Sequence, residues 1–314
     1  MAAPTIAANG ACDLTVSGLV GYMKDADTIR VTASTIKCLT LLVARRRVTD
    51  AMLPNQVEVI SADLAGGSTA GLQAGDLLSW NDLFHGLMLP SGNDAAKCIA
   101  RNVGQIILDA EAGSGDPTAR FLTDLNHVAA TVLGWSGTAI DTVNGDTIAL
   151  NNRISPRQLC QLALALDDYS VTVSGTWSHT VAVTGPNART INLVHTFDKD
   201  GEVPFPEVIA VKTGTLNGDP LIACVVMLWV DDNGRHATAV MESPSTTQRL
   251  HDARAIIDYV KVLAPPPLPP VYPPPPVVFP TTPPVGYRTK VGETVVDIVE
   301  VKIGVGGQLV HVWP

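Results

Sequence analysis

The rhythm of apolar and polar positions changes several times along this chain. Residues 12–32 run through "LTVSGLVGYM", a polar "KDAD", then "TIRVT", which predicts a β-hairpin turning at "KDAD". Residues 34–47 take up a helical rhythm and end in "RRR" at 45–47, cations that suit a helix C-terminus. "SWNDLFHGLML" and "DAAKCIARNVGQIIL" predict two helices broken at "PSGN", where Pro90 and Gly92 end one and Asn93 or Asp94 caps the next. "PTARFLTDLNHVAATVLG" and "SPRQLCQLALAL" predict two more helices. The pattern then turns to strand, with "VIAVKTGT", "LIACVVMLWV", a "DDNG" turn and "HATAVME"; Asn233-Gly234 is a strong hairpin signal. "TTQRLHDARAIIDYVKVL" closes the body as a helix, with apolar residues at 250, 253, 256, 257 and 260. Strands early, helices in the middle and strands late predict an α+β fold. Its antiparallel sheet is joined from both ends of the body and carries a helical insertion.

Composition marks where that body ends. Residues 265–284 hold 12 of the chain's 23 prolines, so they cannot build helix or sheet. Twenty residues of polyproline II at about 3.1 Å each make a semi-rigid spacer of roughly 60 Å. An SH3-type ligand is the other use of such a segment. Beyond it, Val299, Val301 and Ile303 alternate with Glu300 and Lys302, and Gly306-Gly307 precede a second short strand ending at Trp313. This predicts a small β module, too short to be stable without packing on something or oligomerising. The organisation expected is a large folded body over 1–263, a linker over 264–285 and a β module over 286–314.

Charge and cysteine usage narrow the function. A net charge of −9 with no basic stripe argues against a nucleic-acid partner. The module carries three basic and three acidic residues, so that charge belongs to the body. The five cysteines (12, 38, 98, 160, 224) are odd in number and lack framework spacing, which predicts reduced, mostly buried thiols. The opening "MAAPTIAANGACDLTVSG" has neither a basic region nor a continuous apolar run, so no secretory signal is expected. No stretch of about 18 apolar residues predicts a membrane span. There is no HExxH, no paired His/Cys spacing and no GxSxG, so neither a metal, nor a cofactor, nor a conventional serine triad is expected. The seven histidines read as structural or surface residues.

Three short stretches carry candidate chemistry. Ser34 is the only serine with a lysine, Lys37, three residues on. On a helix those two share a face, and a desolvated amine can take a hydroxyl proton. A capping serine beside a surface lysine would give the same spacing. Ser91-Gly92-Asn93 sits in the interhelical turn, where an ordinary turn would also use such residues. Lys212-Thr213-Gly214 ends a hydrophobic strand. A lysine there also guards an edge, but a glycine inside a strand marks close approach of another backbone or a ligand.

Together and in this order, the three stretches resemble the motif set of the penicillin-binding proteins and serine β-lactamases. "GLMLPSGNDAA" and "FLTDLNHVAATVLG" are most similar to the low-molecular-weight D-alanyl-D-alanine carboxypeptidases, and the resemblance covers about residues 10–262. It implies Ser34 as nucleophile, Lys37 as general base and Ser91 as proton relay to the leaving amine. It implies Asn93 as holder of the substrate amide and Lys212 and Thr213 as the grip on the terminal carboxylate, with Lys212 also keeping Lys37 neutral. Gly214 allows the close approach, and the backbone N–H groups of Ser34 and Thr215 form the oxyanion hole. Peptidoglycan stem peptides are the implied substrate and β-lactams the implied inhibitors.

Two alternatives share these residues. A class A β-lactamase needs a deacylating glutamate, and none occurs between Glu111 and Glu202. A cell-wall-binding module would have no need of Lys37. Carboxypeptidases of this family are normally exported, and many carry a C-terminal membrane helix. The tail "EVKIGVGGQLVHVWP" instead resembles short β modules of minor tail proteins from bacteriophages of actinobacteria. That resemblance implies an enzyme displayed on a virion, contacting other tail proteins through 286–314, with a secreted bacterial enzyme as the alternative.

Overall fold

The computed structural model describes residues 2–136, 140–146, 152–197 and 205–263, and the backbone strands 288–291, 294–297, 301–305 and 308–313. The chain divides into two units, Met1–Ala264 and Pro265–Pro314. In the first, β1 (Gly10–Thr15), β2 (Val20–Lys24) and a short β3 (Arg30–Val31) precede a 3₁₀ turn (Ala33–Ile36) and α1 (Lys37–Arg45). The ribbon of β4 (Gln56–Glu58) and β5 (Leu77–Ser79) leads to α2 (Trp80–Met88), α3 (Asn93–Ala110) and α4 (Pro117–Thr131). Next come β6 (Arg153–Ile154), α5 (Pro156–Leu164), α6 (Asp168–Gly175) and a hairpin of β7 (Ser178–Val183) and β8 (Arg189–Val194). The body ends with β9 (Val208–Leu216), β10 (Ile222–Asp231), β11 (Gly234–Ser243) and α7 (Thr246–Val262).

The main sheet has the order β2-β1-β11-β10-β9, antiparallel throughout, so its strands come from both ends of the body as the pattern predicts. Helices cover both of its faces, which explains the continuous apolar run of β10. Cys224, Val226 and Leu228 face the large cluster under the helices, and Val225, Met227 and Trp229 face α7. Each such side chain contributes about 1.5–3 kcal/mol by leaving water. The same alternation orients β9. Ala210 belongs to the helical cluster and Val211 to the α7 cluster. Lys212 and Gly214, in phase with Ala210, therefore face α1 and the 3₁₀ turn before it.

Three local expectations change. The hairpin turns at Ser17-Gly18 rather than at "KDAD": Gly18 takes φ +82°, and Thr15 Oγ1 accepts from Leu19 N at 2.9 Å. "KDAD" instead carries the chain out to β3, which pairs with β6. Ser34 does not open α1; it lies in the 3₁₀ turn, and the helix proper starts at Lys37. Neither Asn93 nor Asp94 caps α3, since Gly92 holds that position and frees both side chains for other work. The ribbon β4–β5, helix α6 and hairpin β7–β8 add to the predicted elements.

In the second unit, β12 (Arg288–Val291) pairs with β13 (Thr294–Asp297) and β14 (Val301–Val305) with β15 (Gln308–Trp313), both antiparallel. The proline-rich stretch 265–284 and Gly306-Gly307 lie outside the described residues. Among the described residues no helix is long and apolar enough to cross a membrane.

Candidate active site

The three separated motifs meet at the N-terminal end of α1. The 3₁₀ turn carries Ser34 to the surface of the body and leaves Lys37 on the first turn of the helix, fully buried. Lys37 Nζ lies 2.9 Å from Ser34 Oγ, 3.3 Å from Ser91 Oγ and 2.8 Å from Asn93 Oδ1. One amine thus touches residues of two motifs, and 54 and 56 residues of sequence separate it from Ser91 and Asn93. Burial holds the Lys37 ammonium well below its usual range, the Lys212 charge lowers it further, and Asp146 and Asp94 act in the opposite sense. A neutral amine in contact with a hydroxyl is the arrangement a serine nucleophile needs.

The backbone around this pair is bent where ordinary residues resist bending. Ala33 has φ +47° and Ser91 φ +61°, left-handed values that the surrounding structure must enforce. At Gly92 a Cβ would stand 2.7 Å from Gly86 O and 2.9 Å from Ala70 N, so only glycine lets the turn pass. Asp94 anchors the same turn by accepting from Ala70 N, Leu72 N and Ala95 N.

From the other side, β9 presses on the turn that carries Ser34. A Cβ on Gly214 would lie 2.9 Å from Ser34 N, Thr32 O and Thr35 N. The glycine therefore marks the close approach of two backbones that its place in a strand predicts. Lys212, 1% exposed, donates to Thr213 O at 2.9 Å, and burial lowers its pKa to about 7. Thr213 Oγ1 is 2.6 Å from Thr196 Oγ1. Thr215 reaches the surface, and its hydroxyl accepts from Arg249 Nη1 at 2.8 Å.

A cleft of about 1310 Å³ opens over the turn, lined by Ser34, Asn93, Asp146, Thr215 and the β9–β10 loop. Of the predicted set, Ser34, Asn93 and Thr215 line it. Lys37, Ser91, Lys212 and Thr213 are buried behind that surface. Two participants went unanticipated. Arg249, on α7, donates to Gly214 O and Cys224 O as well as to Thr215. A sequence signal existed, because 249, 253, 256 and 260 share one helical face and the last three are buried apolar residues. Asp146 accepts from Asn93 Nδ2 at 3.0 Å and has no comparable signal. His195, beside β9, is buried with its pKa down at about 4, and it accepts from Phe197 N and bonds Val211 O. Among the described residues no group of His, Cys, Asp or Glu has the arrangement of a metal site. All five cysteines are free and buried.

The helix-flanked antiparallel sheet, with serine and lysine facing a lysine–threonine–glycine strand, is the penicillin-binding/β-lactamase fold. No protein-family profile matches the chain. The D-alanyl-D-alanine carboxypeptidase of Streptomyces sp. (strain K15) is 31% identical over 269 residues, covering 82% of this chain and 88% of that protein. The crystal structure of the Streptomyces K15 DD-transpeptidase superposes with a TM-score of 0.71 at 28% identity, over 84% of this chain and 100% of that one. The D-alanyl-D-alanine carboxypeptidase of Mycobacterium tuberculosis H37Rv shares the fold, with TM-score 0.68 and 23% identity over 84% of this chain and 95% of that one. The chain belongs to the D-alanyl-D-alanine carboxypeptidase family, the low-molecular-weight penicillin-binding proteins.

Proposed function

We propose that this chain is a serine DD-peptidase that cleaves the terminal D-alanine from peptidoglycan stem peptides through an acyl-serine. The observation that carries the reading is the 2.9 Å contact between a buried, deprotonation-prone Lys37 and Ser34 at the floor of an open cleft. Ser34 Oγ attacks the penultimate carbonyl while its proton passes to Lys37 Nζ. The backbone N–H groups of Ser34 and Thr215 take the developing oxyanion. Collapse breaks the amide bond, and Ser91 Oγ, 3.3 Å from Lys37, relays the proton to the departing D-alanine amine. Water then hydrolyses the ester, or an amine captures it. Asn93 Nδ2 holds the substrate amide by exchanging one of its present acceptors, Gly66 O or Asp146. The terminal carboxylate meets Thr215 at the cleft surface, with the charges of Lys212 and Arg249 behind it and Thr213 fixed alongside. β-Lactams acylate the same serine.

The test is release of D-alanine from a peptide ending in D-Ala-D-Ala by the full chain. Release that disappears in Ser34→Ala supports the reading, and a wild type that releases none refutes it. Sustained turnover of nitrocefin would favour a β-lactamase. A wild type that binds muropeptides and cleaves neither substrate would favour a wall-binding module.

The proposal extends to location. A catalytic body, a proline spacer and a small β module suit an enzyme carried on a phage tail and attached through 286–314, and five reduced thiols suit folding in host cytosol. The protein then co-purifies with virions; recovery from a bacterial periplasm alone would contradict this.

A further inference from the structure

Asn93 is the point where two loops converge on the site. Its Oδ1 accepts from Lys37, and its two Nδ2 hydrogens go to Gly66 O at 2.9 Å and to Asp146 Oδ2 at 3.0 Å. The tripeptide Asn144-Gly145-Asp146 touches the machinery three times. Ser34 Oγ lies 3.4 Å from Asn144 O. Gly145, at φ +71°, packs so tightly on the nucleophile's turn that a Cβ would stand 2.0 Å from Ala33 O. Asp146 then closes on Asn93. The loop is itself anchored, since Thr40 Oγ1 donates to Val143 O at 2.5 Å and Asn144 Oδ1 accepts from Asp146 N at 3.3 Å.

An amide side chain offers two nearly identical ends, and its orientation is set by its partners. With acceptors on one side and an amine on the other, only one orientation satisfies every contact. Reversed, the amide oxygen would face a carboxylate and a carbonyl, and the amide nitrogen would face Lys37. We propose that Asp146 is a positioning residue for acylation, which locks the Asn93 amide oxygen onto Lys37 and places a negative charge in the cleft beside it. This inference rests on the DD-peptidase reading above. The Asp146 carboxylate bonds the Asn93 amide rather than Ser34 or Lys37, so it acts through Asn93 and through its charge.

Charge gives the role a signature that packing alone lacks. Three charged groups face Lys37: Lys212 from β9, Asp94 from α3 and Asp146 from this loop. A carboxylate favours the protonated amine, which is the inactive form. Removing the Asp146 charge frees the neutral amine at lower pH, so the acid limb of acylation moves down.

The experiment measures the second-order rate of labelling by a fluorescent penicillin from pH 5 to 9, for the full-length wild type, Asp146→Asn and Asp146→Ala. Asp146→Asn keeps an oxygen acceptor for Asn93 and loses the charge. It should retain most of the plateau rate and shift the acid limb down by about half a pH unit or more. Asp146→Ala loses both and should drop the plateau about fivefold to tenfold. An unmoved acid limb in Asp146→Asn, or a plateau in Asp146→Ala equal to wild type, overturns the inference. A wild type that is never labelled overturns the functional reading and this inference with it.

Discussion

Replacing Gly214 by alanine tests how the third motif acts on the first. The added Cβ would sit 2.9 Å from Ser34 N, Thr32 O and Thr35 N, roughly half an ångström inside ordinary contact. All three are backbone atoms, so no side chain can swing aside. Strand β9 cannot easily retreat either, because it pairs with β10 from Val208 to Leu216. The strain therefore falls on the 3₁₀ turn and the strand together, at about 1–3 kcal/mol for an overpacked contact. Oxyanion donors work at about 2.7–3.1 Å, and loss of one costs roughly 10²–10³ in rate. A half-ångström separation of Ser34 from β9 should thus slow acylation by about 10- to 100-fold. Thermal stability should fall only by the strain, about 2–4 °C per kcal/mol for a domain of this size. Fluorescent-penicillin labelling read beside a thermal melt separates the two effects. Gly113→Ala is the control, because nothing stands closer than 3.4 Å to its Cβ position. If Gly214→Ala labels within twofold of wild type, the claim that this glycine seats the nucleophile fails.

Other consequences follow from the charges and thiols. Acylation should rise with pH as Lys37 loses its proton and fall above about pH 7, where Lys212 becomes neutral and its hold on a carboxylate weakens. Lys212→Arg should push that upper limb higher, and a flat profile from pH 6 to 9 would contradict the assignment. His236 is disfavoured as a cation by burial, but its hydrogen bond to Asp13 and the charges of Asp13 and Asp231 prevail and raise its pKa. A raised folded-state pKa stabilises the protein below the unfolded value near 6.5 and loses that effect as pH climbs through the folded value. The melting-temperature gap between wild type and His236→Gln should therefore shrink from pH 6 to 8.5; a constant or widening gap would refute the pairing. The thiols should stay silent to Ellman's reagent until denaturant is added and five should then react, since burial pushes Cys38 and Cys224 up to about 12. Rapid labelling of the native protein would contradict the buried, unpaired state.

What could be read from the residues in advance was local. Gly214 interrupts an apolar strand, and Ser34 with Lys37 interrupts an apolar run of sequence, so both break a pattern that packing alone would have kept. "PSGN" is legible because proline and glycine stop helices wherever they occur. What escaped notice depends on chain that is distant in sequence. Asp146 matters only because Gly145 packs on Ala33 and carries it to Asn93, 53 residues away. Arg249 looks like one more cation on an amphipathic helix until α7 turns that face onto β9 and β10. Polarity misplaced the first hairpin turn: "KDAD" is the more polar stretch, but Gly18 has the left-handed backbone that the turn requires.

The central claim is that Lys37 makes Ser34, and no other hydroxyl, the acylated residue. Mass spectrometry of the peptides produced after exposure to a labelled penicillin tests it most directly. The account predicts one adduct, on the peptide carrying Ser34, absent from Ser34→Ala and strongly reduced in Lys37→Met. An adduct on Ser91 or elsewhere, or a folded wild type that takes up no label, would contradict it.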